Sequence, residues 1–346
     1  MSPISKKRWQ QFQNNKRAYW SLLIFLALFA ISLFAELIAN DKPILVSHKG
    51  QLFAPVFIDY SEKDLGGELT ATASYWDPQI QRLITNSNGW ILWPPIPYGY
   101  DTPDMYLDGP APTSPDLKHW LGTDDGGKDT VARLIYGFRL SVLFGITLTV
   151  ISASIGITVG ALQGYFGGMV DLIGQRFVEI WTGLPILIIL IILASIVEPS
   201  FFWLLGCLAA FSWMSVVGVV RAEFLRTRNF EYVRAAVALG DSDLSIIIKH
   251  VLPNAMTAAL TFLPFILSGA VTSLTALDFL GFGLPSGSPS LGELLNQGKR
   301  NLQAPWLGLT GFAAVGIMLT LLIFVGEGIR DAFDPRKAMS TLDQSG

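Results

Sequence analysis

The chain is poor in charge. Of its 346 residues only 15% are Asp, Glu, Lys or Arg, where soluble domains carry about 25%. Its 24 basic and 27 acidic residues leave a formal charge of -3, so no overall basic field supports a nucleic-acid partner. The lone cysteine, Cys207, excludes an intramolecular disulfide framework and any multi-cysteine metal site. It stands in an apolar run and reads as a small buried hydrophobe. Three histidines, His48, His119 and His250, form no His-Glu-x-x-His pattern. Hydrophobic residues, by contrast, reach 51% and gather in long runs. That concentration excludes an ordinary cytosolic enzyme and indicates a membrane protein.

A helix needs about 20 apolar residues to cross about 30 Å of hydrocarbon. Six runs qualify: 21–38, 140–162, 180–197, 201–220, 255–277 and 307–325. Backbone amides cannot stay unpaired in lipid, so each is read as a helix, with kinks at Pro185 and Pro264. The predicted fold is an all-α polytopic membrane protein of six spans. Its segments are 1–20 before the first span, 21–38 as that span, 39–138 as a long irregular insert ending in an interfacial helix, 139–330 as a five-helix core and 331–346 as a tail. The first run exceeds a signal-peptide core, and no A-x-A-like site follows it, so it reads as an uncleaved anchor. Lys6, Lys7, Arg8, Lys16 and Arg17 precede it and place the amino terminus in the cytoplasm. Alternation puts 163–179, 221–254 and the tail on the same side. They carry Arg176, Arg221, Arg226, Arg228, Arg234, Lys249, Arg330, Arg336 and Lys337.

The insert faces the other compartment. It is dense in proline, which argues against any helix there, and short strands are expected near 51–58 and 82–85. Its many aromatics, Trp76, Trp90, Trp93, Tyr98, Tyr100 and Tyr106 among them, indicate a folded cap rather than a disordered linker. Between residues 41 and 129 thirteen acidic side chains oppose six basic ones, so a cationic or peptide ligand is one reading and a well-hydrated cap another. Within it, Gly122-Thr-Asp-Asp-Gly-Gly-Lys128 imitates the G-x-x-x-x-G-K of a nucleotide-binding loop. Asp129 replaces the magnesium-contacting Ser or Thr, and Asp124 and Asp125 put negative charge where phosphate would sit. The segment instead reads as a capped turn opening a helix, with Val131, Leu134, Ile135 and Phe138 on one face, lying on the membrane before the second span.

The loop 221–254 is far longer than a connection requires. Residues 229–240 read as a short helix capped by Asn229 and ended by Gly240; Asp241 is expected to cap a second helix at 244–252, which Pro253 breaks. The first helix is expected to expose small Ala235 and Ala236 beside bulky Tyr232, Val233 and Leu239, an apolar face that needs a protein cover.

These residues resemble a family. Ala235-Ala236-x3-Gly240 followed by Leu252-Pro253 is similar to the EAA motif of ABC importer permeases, with Arg234 at the position of the acidic residue and His250 at that of the isoleucine. Leu121-Gly-Thr-Asp-Asp-Gly-Gly-Lys-Asp129, Gly164-Tyr-Phe-Gly-Gly168 with Asp171 and Arg176, and Phe279-Leu-Gly-Phe-Gly-Leu284 resemble signatures of the oligopeptide, dipeptide and nickel branch. The insert at 40–115 is similar to that of importers of microcin C and peptides.

The resemblance implies the type I importer permease fold and a non-catalytic subunit of the bacterial inner membrane. Its partners would be a second permease subunit, cytoplasmic ATPases that hold ATP and magnesium, and an extracytoplasmic binding protein; this chain would bind no cofactor. The implied coupling residues are Glu231, Tyr232, Arg234, Ala235, Ala236, Leu239, Gly240, Asp241, His250, Leu252 and Pro253. Thr261, Ser268, Thr272 and Ser273 are candidates for the translocation path or for hydrogen bonds between helices. An ion-coupled transporter would need ionisable groups within spans, whereas Glu36, Glu179, Glu198, Asp278 and Glu327 lie near span ends. Gly160, Gly164, Gly167 and Gly168 suit either a hinge or close packing, and Trp20, Trp181, Trp203 and Trp306 suit interfacial anchoring.

The orientation is testable through the lone cysteine. In a Cys207→Ala background, Ser74→Cys and Ser87→Cys should react with a membrane-impermeant maleimide from outside, and Thr227→Cys and Ser242→Cys should not. Outside labelling of the latter pair would reverse the topology.

Overall fold

A computed structural model describes residues 3–285 and 287–333; Arg336, Lys337 and the rest of the tail from 334 on lie outside them. Helix α1 (Pro3–Asn14) meets α2 (Lys16–Leu33) at Asn15, whose side chain accepts from the Ala18 amide. The first span therefore begins earlier than expected and ends at Phe34, where one short turn, α3 (Ala35–Ile38), follows.

The insert is mostly loop, as expected, with a small amount of regular structure set into it. Strands β1 (Leu45–His48) and β2 (Gln51–Phe53) form an antiparallel sheet with β3 (Trp90–Leu92) in the order β2-β1-β3, with Val46 opposite both Phe53 and Ile91. A nine-residue helix, α4 (Pro78–Asn86), survives among the prolines. Pro78 occupies its first turn, where an N–H has no intrahelical partner, and Asp77 caps it by accepting from the Gln79 amide at 2.7 Å. Residues 82–85 are thus helix, not strand. Ile80 and Ile84 pack from α4 onto Val46, Phe53 and Leu65.

Helix α5 (Thr130–Phe166) spans 37 residues, about 55 Å at 1.5 Å per residue. The expected interfacial helix and the second span are one element, because no proline interrupts residues 130–166. Its start is the capped turn expected at 122–129: Asp129 accepts from the Ala132 amide at 2.8 Å. Asp124, 1% exposed, accepts from the amides of Gly126 and Lys128 at 2.9 and 2.8 Å and from Arg133 at 2.7 Å. Two amides that a phosphate would require are already bonded to this carboxylate.

Helices α6 (Gly168–Thr182) and α7 (Ile186–Ile196) meet at a 67° bend next to Pro185, so the run expected as the third span is divided between two helices rather than forming one. Helices α8 (Phe201–Ser212) and α9 (Met214–Thr227) run on as one span, followed by α10 (Glu231–Ala238). The one-turn α11 (Asp243–Ser245) and a widened π turn (Ile246–Val251) lead into α12 (Leu252–Leu280). Pro264 lies within α12 without ending it. Helices α13 (Leu291–Arg300) and α14 (Pro305–Phe333) complete the described chain. Among the described residues five helices are long and apolar enough to cross a membrane, six if the bent pair counts as one span.

The α5–α9 contact is set by glycines four residues apart. A Cβ on Gly156 would stand 2.5 Å from the Trp213 carbonyl oxygen, and one on Gly160 would stand 2.8 Å from that of Val217. A Cβ on Gly164 would strike Phe224 and Arg221. Gly160 and Gly164 are therefore packing surfaces, which lets two backbones approach; Gly167 and Gly168, at φ +62° and +53°, form the turn into α6. The Trp306 indole packs on Gly122 and donates to the Thr123 carbonyl, joining α14 to the insert.

A second seam centres on His119, 1% exposed and held between Asp129 at 2.8 Å and Asp104 at 3.2 Å, with its ring against Tyr98. The Asp116 carboxylate accepts from its amide. Burial opposes its charging, but hydrogen bonds to Asp129 and Asp104 outweigh that and raise its pKa.

Two outcomes are expected. Gly160→Ala forces a shift between α5 and α9 and should lower stability by about 1–3 kcal/mol, read as a lower melting temperature, whereas Gly206→Ala, with open space around it, should not. Because the pKa of His119 is raised on folding, its contribution is full below its ordinary value of about 6.5 and is lost as pH rises through the raised value. Hydrogen exchange at 104–129, corrected for intrinsic rate, should then accelerate toward alkaline pH in the native chain and lose that dependence in His119→Gln.

Candidate coupling site

The site is the turn between α9 and α12. Asn229 does not cap α10: its amide donates to the Leu225 carbonyl, and Phe230 stands at the cap without a side-chain bond. The helix ends as expected at Gly240, whose φ of +84° is left-handed; its amide bonds the Val237 carbonyl and that of Asp241 bonds Ala236. Ser242 rather than Asp241 caps the next turn, accepting from the Ser245 amide. Asp241 instead faces His250 at 3.3 Å. Pro253 breaks nothing. It lies in the first turn of α12, directly after the π turn, where a wider backbone accommodates a missing donor.

The two alanines part company. Val233 and Ala236, 2% and 5% exposed, are buried against Val220, Phe224, Ile246 and Val251, so the flat face expected to include both alanines does not form. Successive helical residues point about 100° apart, and one neighbour must turn inward when the other turns out. Glu231, Tyr232, Arg234, Ala235 and Leu239 face outward, Leu239 with 87% of its surface exposed. Leu252 is half-buried beside the same cluster.

Side chains that sequence reading left without partners tie this helix to the bundle. Tyr232 accepts from Asn254 at 2.7 Å, linking α10 to α12, and Tyr165 at the end of α5 donates to Asp243 at 2.7 Å. Arg228 donates to the carbonyls of Gly164 and Tyr165. Arg221 grips Asp171 through both carboxylate oxygens, while Arg176, the basic residue of the same signature, pairs with Glu179 at 2.6 Å. Asp171 was visible in its motif, but its partner lies fifty positions away, with no local pattern to reveal it. Thr227 is buried, so Ser242, which is exposed, carries the inward labelling test.

The path candidates are scattered over α12. Thr272 is exposed and Thr261, Ser268 and Ser273 half-buried. The Thr261, Ser268 and Thr272 hydroxyls donate to Ala258, Pro264 and Ser268 carbonyls of their own helix, not to another. Helix α5 presents a comparable line of hydroxyls, half-buried Thr147 and exposed Ser154 and Thr158, bonded in the same way. Asp278 is buried at the end of α12, and both its oxygens are occupied, by the Leu284 amide and the Ser290 hydroxyl. Gly283 lies so close to it that a Cβ would collide with the carboxylate, which accounts for a glycine in that segment.

Comparison with known proteins agrees with this architecture. The family described as the binding-protein-dependent transport system inner membrane component matches residues 156–339, and the N-terminal TM domain of oligopeptide transport permease C matches 4–70. The chain is 59% identical to the inner membrane ABC transporter permease protein YejE of Escherichia coli over 98% of its own length and 99% of that protein's. It is 58% identical to the peptidoglycan transport system permease protein YejE of Agrobacterium fabrum, over 97% of this chain and 94% of the relative. Identity to the oligopeptide transport system permease protein OppC of Haemophilus influenzae is 34%, covering 70% and 78%. This chain is therefore a multi-pass inner-membrane permease subunit, not an enzyme, and belongs to the family of inner-membrane components of binding-protein-dependent transport systems.

Proposed function

We propose that this chain is the membrane subunit of an ATP-driven importer of peptides or peptide-like compounds, microcin C among them. In this reading both termini and α10 face the cytoplasm, and the insert faces outward to receive cargo from a binding protein. A second permease subunit completes a pseudo-twofold pair. ATP and magnesium are held by partner ATPases, and this chain binds no cofactor of its own. The names of the relatives support a peptide class of cargo.

One observation carries the coupling role: α10 is anchored from beneath by Val233 and Ala236 while Ala235 and Leu239 stand exposed. A leucine so exposed is a liability unless a partner covers it. Pressure on α10 would pass through Tyr232 to α12, and α5 is held to the same region through Asp243 and Arg228. A rigid-body tilt of these spans is the motion such a lever produces.

The test separates docking from folding. Ala235→Asp alters only the outer face and should leave membrane abundance unchanged while abolishing cargo uptake and ATPase association. Gly240→Val meets no neighbour within 4 Å but forces a β-branched residue into a left-handed turn, costing about 1–2 kcal/mol; uptake should be lost. Arg234→Ala should do less. Normal uptake by Ala235→Asp at native abundance would sink the coupling role.

A further inference from the structure

Two clefts open beside the coupling helix, and the proposed transport role assigns no occupant to either. The first, about 500 Å³, lies among α1, α2, α12 and α14 and is walled by Trp9, Phe12, Leu22, Met256, Leu260 and Ile329. The second, about 620 Å³, lies nearer α10, where Arg8, Arg226 and Arg330 face a single carboxylate, Glu223. The walls of this cleft thus carry three guanidinium groups and one carboxylate, which pairs with Arg226. The clefts share Arg8, Thr257 and Phe333 as walls, so an apolar chamber adjoins a cationic one. Arg8 lies over the Phe333 ring at 4.4 Å, which holds it at the junction.

Their depth is that of the membrane boundary. Leu22 is in the second turn of α2, a helix apolar enough to cross a membrane, and Leu260 is in the third turn of α12. Trp9, exposed on α1, is the residue type found at headgroup level. A soluble anion would use the arginines but not the apolar chamber. A zwitterionic lipid would use the chamber but bring no net negative charge to the arginines. Both volumes fall in the range of small-molecule sites, and basic pockets between spans suit anionic headgroups.

We propose that an anionic phospholipid occupies these clefts, its phosphate among Arg8, Arg226 and Arg330 and an acyl chain along Phe12, Leu22 and Leu260. Since Tyr232 and Pro253 belong to the same walls, the lipid braces the base of the coupling helix. The inference requires only that the chain be embedded in a membrane, not that its cargo or ATPase be identified.

The full-length chain, purified in neutral detergent with the subunits that accompany it, is mixed with dioleoylphosphatidylglycerol or dioleoylphosphatidylcholine and examined by native mass spectrometry. One phosphatidylglycerol per chain should be retained, with about tenfold preference over phosphatidylcholine. Arg8→Gln with Arg330→Gln should erase the preference. Arg330 is exposed, so Arg330→Gln alone, which leaves the core intact, should lower retention in the same direction. Leu260→Trp, which fills the apolar chamber, should weaken retention of phosphatidylglycerol as well. Equal retention of the two lipids, unchanged retention in the arginine variants, or full displacement by millimolar inorganic phosphate would overturn the proposal, the last by showing a site for a free anion.

Discussion

The close approach of α5 to α9 is the constraint on which the rest depends. Three glycines at 156, 160 and 164 let the backbone of α9 lie where side chains would otherwise stand. In a bilayer no hydrophobic drive favours one helix pair over another, and intimate van der Waals contact supplies the attraction. That contact fixes where α9 ends relative to the turn after α5. Arg221 can then reach Asp171, and Arg228 the carbonyls at 164 and 165. The same helix α9 supplies Val220 and Phe224 to the floor on which α10 rests. A looser α5–α9 seam would leave these two arginines without their partners.

The insert depends on a different device. Its junction with the bundle is a run of buried carboxylates at the start of α5, each satisfied by a donor from a separate segment. Asp124 binds Arg133 and two turn amides, Arg133 reaches the Ser288 carbonyl, and Asp129 binds His119 as well as the helix amide. Buried charge is costly unless paired, so these groups fix one docking arrangement of insert on helix. The same carboxylates that spoil the nucleotide-loop resemblance are what close the turn.

What could be read from the sequence follows the range of each interaction. Spans, the helix-opening turn at 129 and the left-handed end at Gly240 are local: apolar run length, a capping aspartate and a glycine suffice. Proline density alone hides the α4 helix, because Pro78 at a first turn starts a helix where an interior proline would end one. Pro253 misled for the same reason. The ties at Asp171, Tyr165 and Tyr232 were illegible because each joins residues 22 to 78 positions apart, and only the folded backbone brings them together.

The neighbouring alanines show how far a motif can be read without geometry. A pair of small residues invites the idea of one smooth face, yet helical rotation divides them. Ala236 is small because α10 lies against Val220, Phe224 and Ile246 on that side, where a larger group would lift the helix off its floor. Among the described residues Ala235 belongs to no buried cluster and is exposed, so packing against them does not account for its size. On the proposed role its constraint comes from the surface that covers it. The motif would then record two contacts back to back, one that builds the subunit and one that connects it.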